Sequence, residues 1–224
     1  MPIRAVVFDF DGLMVDTETS SFESWREIYA QHGAELSLDV WVDCIGRPGG
    51  YFDACTHLET LTGLPVDRQT LRAEQKRRFN EMNLLQPLRP GVHDYLREAQ
   101  RLGLSVGLAS SATRNRVLAQ LEHLGVLEYF SATKCLEDTS KHKPDPEPFL
   151  AAAEALGVSP GEAVAFEDSP HGIASAKAAG LVCVAVPNPI TRGLNLEEAD
   201  MLLESMASMA LEELLLRLTN HRDR

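Results

Sequence analysis

Only four cysteines occur among 224 residues, Cys44, Cys55, Cys135 and Cys183, and no two of them stand in a C-x-x-C spacing. That scatter fits buried free thiols in a reducing compartment better than a zinc site or a disulfide framework. Long apolar runs are missing as well. Nothing approaches the roughly 18 residues of a membrane-spanning helix, and the first apolar run, interrupted by Asp9, is too short and too acidic for a secretory signal. A cytoplasmic protein with no membrane partner is therefore expected. Basic residues are in deficit, 21 Lys and Arg against 33 Asp and Glu, for a formal charge of -12. Such a surface repels a polyanionic backbone and argues against a nucleic-acid partner. A small phosphorylated ligand could bind only where a metal or a well-placed lysine reverses the local field. Repeats and low-complexity segments are also absent. What remains, 44% hydrophobic and 24% charged residues, is an ordinary globular composition, and the length suits one core with an inserted lobe.

The stretch Val6-Val7-Phe8-Asp9-Phe10-Asp11-Gly12 organises the rest. Its β-branched apolar run reads as a strand buried on both faces, ending in two carboxylates. Side chains alternate along extended chain, so Asp9 and Asp11 can project to one side, with Gly12 permitting a sharp turn. Spacing alone leaves a solvated acidic turn as an equal alternative. If the two are held close, they repel, and a hard divalent cation such as magnesium is the natural compensator.

Beyond Gly12 a helix with Phe22, Trp25 and Ile28 inward runs to Gly33, helical stretches flank the loop Gly46-Arg47-Pro48-Gly49-Gly50, and Asp67 caps another helix. The run Lys76-Arg77-Arg78 reads as a wet helix face. Pro87 and Pro90-Gly91 punctuate the return, which places a helical lobe at residues 15–88, inserted into a core built from 1–14 and 89–224. From Gly91 strands and helices alternate, the pattern of a parallel sheet covered on both faces. The fold class predicted is α/β, a Rossmann-like three-layer core with an inserted α-helical cap. Strands ending at Ser110-Ser111 and at Glu167-Asp168 join the one ending at Asp9, with helices opened by Asp145-Pro146 and Ser169-Pro170. Ligands of open α/β sheets collect at the carboxyl ends of strands, so these points should line one crevice, which Lys143 can reach from its loop.

On a phosphate ester this set has an evident chemistry. Asp9 could attack phosphorus while Asp11 protonates the leaving oxygen and then deprotonates water. Magnesium held by carboxylates such as Asp9 and Asp168 would offset the repulsion of phosphate, with Ser110 and Lys143 stabilising the phosphoryl oxygens. Asp9-Phe10-Asp11-Gly12 with Asp16-Thr17-Glu18, Ser110, Lys143-Pro144-Asp145 and Glu167-Asp168-Ser169 resemble, in order, the four motifs of the haloacid dehalogenase-like hydrolases. The resembling branch carries a helical cap and includes β-phosphoglucomutases and phosphoglycolate phosphatases. The resemblance implies Asp9 as nucleophile, Asp11 as acid/base, Ser110 and Lys143 as phosphate-stabilising groups, and Asp9, Asp11, Glu167 and Asp168 around Mg2+. Glu18, Arg47 and Ser111 are then expected to meet substrate.

Departures from the branch narrow the activity. The mutase pattern has a histidine at the start of the first cap helix, where Ser20-Ser21 stand, and an arginine where Gly49 falls. Asp11 argues against carbon–halogen chemistry, and Lys76, the one lysine between 15 and 88, is misplaced for a phosphonatase. A phosphatase of small phosphorylated metabolites, monomeric or weakly dimeric, is the leading expectation. A sugar phosphomutase and a non-catalytic sensor of a phosphorylated ligand stand as alternatives.

Overall fold

The computed structural model describes residues 2–45 and 52–222. Strand β1 (Ala5–Phe8) is followed by α1 (Thr17–Gln31), α2 (Leu38–Ile45), α3 (Ala54–Thr62) and α4 (Arg68–Leu84) before α5 (Val92–Arg101) returns the chain to the sheet. Alternation then sets in: β2 (Ser105–Ala109), α6 (Arg114–His123), β3 (Ala132–Lys134), α7 (Glu147–Ala155), β4 (Ala163–Glu167), α8 (Pro170–Ala178) and β5 (Val182–Ala185). A two-residue β6 (Met201–Leu202) and α9 (Leu211–Arg222) complete it.

The strands pair in the order β3-β2-β1-β4-β5-β6, all parallel, with β1 central. Period-two alternation sorts β1 between two cores. Val6 and Phe8 join Val106, Leu108, Val164 and Phe166 beneath α5, α6 and α9. Ala5 and Val7 join Ala109, Ala163, Ala165 and Cys183 beneath α7 and α8, where the alanines let those helices lie close. The result is the three-layer, Rossmann-like α/β architecture that the alternating pattern predicts. Strand limits differ from the sequence reading by about one residue, as ladder ends do. Helix α7 begins one residue later than expected: Pro146 takes the cap position, and the Asp145 carboxylate instead accepts from the Glu147 N–H at 3.1 Å.

Helices α1–α4 own a third apolar cluster, in which Phe22, Ile28, Tyr29, Trp41 and Leu58 pack together with Ile190 from the loop after β5. Arg78 departs from its expected wet face. It is 9% exposed and paired to Glu27 at 2.7 Å and Glu74 at 2.5 Å, tying α4 to α1, while Arg77 stays outside with Glu81. The two chain segments joining these helices to the sheet run side by side, Val15 bridging Leu88 antiparallel and the Arg89 N–H donating to Met14 O. Arg89 pins the crossing. Its guanidinium donates to Gly12 O and Pro187 O at 2.6 Å each, and to Val186 O and Leu13 O at 3.2 and 3.3 Å.

Arg89→Met would remove the guanidinium donor from all four carbonyls, leaving Gly12 O only its 3.3 Å bond from the Asn188 amide, and hydrogen bonds from a charged group are worth about 1.5–3 kcal/mol. A fall of about that size in unfolding free energy, measured by urea titration, is expected; an unchanged midpoint would remove Arg89 from the joint.

Candidate active site

Because β1 pairs in register with β2 and β4, the residues just past each strand are carried to one edge: Asp9, Ser110, and Glu167 with Asp168. The edge opens into a cleft of about 220 Å³ whose lining includes Asp9, Asp11, Glu18, Ser111, Lys143 and Asp168. Lys143 arrives from the loop before α7, its ammonium packed over the Phe149 ring at 4.8 Å from the centroid. It donates to Oδ1 of Asp9 and, at 2.6 Å, to Oε1 of Glu167. Burial pulls the Lys143 ammonium down, but the carboxylates of Asp9 and Glu167 outweigh that and raise its pKa.

One ammonium faces three acids. Oxygens of Asp9, Glu167 and Asp168 all lie within 4.8 Å of one another, and all three residues are buried. In the protein alone, burial pushes Asp9 up to about 8, with Glu167 and Asp11 adding to the rise and Lys143 opposing it. Asp168 is likewise raised, by burial first and then by Glu167, Asp9 and Glu18. Glu18 is pushed to about 7 by burial and by Asp11 and Asp16. A cluster of hard oxygen donors with uncompensated charge is chemically suited to a divalent cation of the magnesium type.

The backbone is shaped to hold this cluster. Gly12 has φ +78°, and a Cβ there would fall 2.4 Å from Oδ2 of Asp168. At Gly172, in the first turn of α8, a Cβ would sit 1.9 Å from the Glu167 carboxyl carbon. Glu167 cannot yield that space. Its Oε2 accepts from the Asp168 N–H at 3.0 Å, the Ser169 N–H at 3.3 Å and the Ser169 hydroxyl at 3.2 Å, while Lys143 holds Oε1.

Three placements differ from the simplest sequence picture. Asp11 lines the cleft, but its carboxylate stands apart from the three-acid cluster and is gripped by Arg116 through both oxygens, Nη1 to Oδ1 at 2.8 Å and Nη2 to Oδ2. Ser110 is buried, its hydroxyl accepting from the Ala112 N–H at 3.0 Å, and its neighbour Ser111 is the serine on the cleft wall. His171, in the first turn of α8 and absent from that picture, also lines the cleft, and its Nε2 is buried without a hydrogen-bond partner. Arg47 lies outside the described residues.

Two contributors escaped the sequence reading. Asn188, fully buried just past β5, donates to Oδ2 of Asp168 at 2.7 Å and accepts from the N–H groups of Ile190 and Thr191. The strand-end rule that found Asp168 would have found it, had the pattern been followed past Val186. Arg116 had a fainter signal, a cation in the first turn of the helix that follows Ser110.

Known proteins resemble this chain along most of its length. YhcW of Bacillus subtilis, provisionally named a phosphatase, is 43% identical over 213 residues, covering 95% of this chain and 96% of that protein. A phosphorylated carbohydrates phosphatase of Thermotoga maritima is 32% identical over 181 residues, 80% of this chain and 82% of its own. Among solved structures, CbbY of Rhodobacter sphaeroides in complex with phosphate superposes with a TM-score of 0.72 at 28% identity, covering 92% of this chain and 95% of that one.

The strained carboxylate cluster makes a stability prediction. Asp168→Asn keeps an oxygen for Asn188 but removes a repelled charge, so in chelator-treated protein the melting temperature should rise by about 2–4 °C per kcal/mol relieved. The sign with pH follows from the raised pKa values of Asp9 and Asp168. Such groups favour the fold below the ordinary carboxylate range and lose that contribution as pH climbs through the folded value. The gain from Asp168→Asn should therefore be small near about pH 5 and larger near about pH 9; a melting temperature that drops at both would show the charge is not strained.

The description "haloacid dehalogenase-like hydrolase" matches residues 6–186, and with the strand-edge acids and Lys143 in place the chain belongs to that family.

Proposed function

We propose that the protein is a magnesium-dependent phosphatase of small phosphorylated metabolites, sugar phosphates among them, working through an aspartyl-phosphate on Asp9. The observation that carries this reading is the meeting of Asp9, Lys143, Glu167 and Asp168 at one strand edge, in a cleft that Asp11 also lines.

Lys143 holds Oδ1 of Asp9, which leaves Oδ2 to attack phosphorus. The ester P–O bond breaks as the Asp9–P bond forms, and Asp11 gives a proton to the departing oxygen. Water then attacks the phosphorus, its proton returns to Asp11, and phosphate leaves with the Asp9 carboxylate restored. Lys143 and the hydroxyls of Ser110 and Ser111 serve the phosphoryl oxygens, so positioning and charge neutralisation supply most of the rate. Magnesium held by Asp9 and Asp168, with Glu167 beside them, would offset the repulsion between the acids and the phosphate. Glu18, which lines the cleft from the start of α1, would meet substrate. We assign residues 15–88 to a cap over the cleft, with residues 1–14 and 89–224 as the core.

Water rather than a sugar hydroxyl as acceptor is supported at the position where the mutase pattern carries histidine. Ser20 is buried there, donating to Asp16 O at 3.4 Å and accepting from Gln86 at 3.3 Å. The sugar-phosphate class is supported by the name of the Thermotoga relative.

Phosphate release from a panel of fructose 1-phosphate, glucose 6-phosphate, phosphoglycolate, nucleoside monophosphates and p-nitrophenyl phosphate, with magnesium and with chelator, tests the reading. Turnover should require magnesium, and Asp9→Asn should lower kcat by at least about 10³-fold, as expected for loss of the nucleophile. Undiminished turnover by Asp9→Asn would refute it, as would conversion of β-glucose 1-phosphate without phosphate release.

A further inference from the structure

Arg116 sits where three parts of the molecule meet. It rises from the first turn of α6, and its guanidinium engages both oxygens of Asp11. The same group lies 5.9 Å from the centroid of the Phe10 ring, in the β1 exit, and 5.8 Å from that of Phe79, on helix α4. A second contact joins the two helices one turn on, where Gln120 donates its side-chain amide to Asn83 O at 3.1 Å. A planar guanidinium forked onto a carboxylate fixes the carboxylate's plane as well as its position, which a point charge does not. Cation–π attraction to two rings in turn favours this position of the guanidinium. The aim of Asp11 is thus set by Arg116, and that of Arg116 by one ring from the core and one from α4.

We propose that Arg116 is the positioning residue for Asp11, and that through Phe79 it makes the orientation of the acid/base depend on where helix α4 lies against α6. The inference rests on Asp11 being the group that protonates the leaving oxygen. Arg116 takes no part in bonding to phosphorus and transfers no proton. Its role is to hold the Asp11 carboxyl in the plane from which its proton reaches the ester oxygen. With α4 displaced, Phe79 leaves the guanidinium, and Asp11 loses its alignment while Asp9 and Lys143 keep theirs.

The consequence is selective for leaving group. An alkyl or phenyl oxide needs the proton to depart, whereas p-nitrophenoxide departs without it. kcat/KM reports events up to formation of the aspartyl-phosphate, so the two classes separate there. Arg116→Ala should lower kcat/KM for fructose 1-phosphate and phenyl phosphate about 10²-fold, the low end of what a positioned general acid contributes, and that for p-nitrophenyl phosphate by no more than about threefold. Phe79→Ala should show a smaller loss with the same selectivity. Arg116→Lys, which keeps charge without the fork, should fall between, and added guanidinium ion should restore part of the Arg116→Ala loss, a recovery that misfolded protein would not show.

Equal losses on all three substrates would overturn the proposal and make Arg116 a phosphate-binding residue. Unchanged rates in Arg116→Ala, beside an Asp11→Asn variant that loses the alkyl substrate, would overturn it while leaving the phosphatase mechanism standing. Full activity of Asp11→Asn on fructose 1-phosphate would instead remove the acid/base assignment, and the positioning role with it.

Discussion

Mutual repulsion among Asp9, Glu167 and Asp168 is the constraint around which this protein is built. Parallel pairing of β1 with β4 in register brings these acids together, and nothing local in sequence can neutralise them. The opposing charge therefore comes from elsewhere, Lys143 from the loop before α7, with Asn188 from beyond β5 as a distant hydrogen-bond donor, while the neighbouring Ser169 hydroxyl and N–H supply local hydrogen bonds. The cost of holding unpaired acids in a low dielectric is met by a scaffold whose inner strands are wholly buried. The two close-approach glycines follow from the same constraint, since Gly12 and Gly172 lie where any side chain would displace a carboxylate.

Arg89 solves a related problem at the other side of the edge. Where the chain leaves for the inserted helices and rejoins the core, the carbonyls of Gly12, Leu13, Val186 and Pro187 converge on Arg89. A single guanidinium donates to all four, and its charge also opposes the rise in the pKa of Asp168. The joint and the acid cluster are accordingly one electrostatic unit, even though Arg89 lies 77 positions from Gly12 along the chain.

Legibility in the sequence followed locality. Strands β1, β2, β4 and β5 could be read because their burial on both faces leaves an unbroken apolar run, and their ends pointed to Asp9, Ser110 and Asp168 without any knowledge of the partner strands. Features made by two distant segments could not. Arg78 looks like a solvated residue within Lys76-Arg77-Arg78 until α1 supplies Glu27, and Arg116 looks like any exposed helix cation until Asp11 and Phe79 close on it. The direction of the Asp11 side chain was likewise beyond reach, because alternation along a strand governs residues inside the ladder, and Asp11 already lies in the turn beyond it.

That difference in surroundings is what separates two carboxylates only two residues apart. Asp9 is buried, shares an ammonium with Glu167 and keeps one oxygen uncommitted, a setting that suits attack at a centre approached by a cation. Asp11 is only partly buried and has both oxygens held by a guanidinium anchored in another helix, which fixes the orientation of its carboxyl group. Under the mechanism proposed above the two acids divide the work, and each is held by a different cation carried on a different part of the chain.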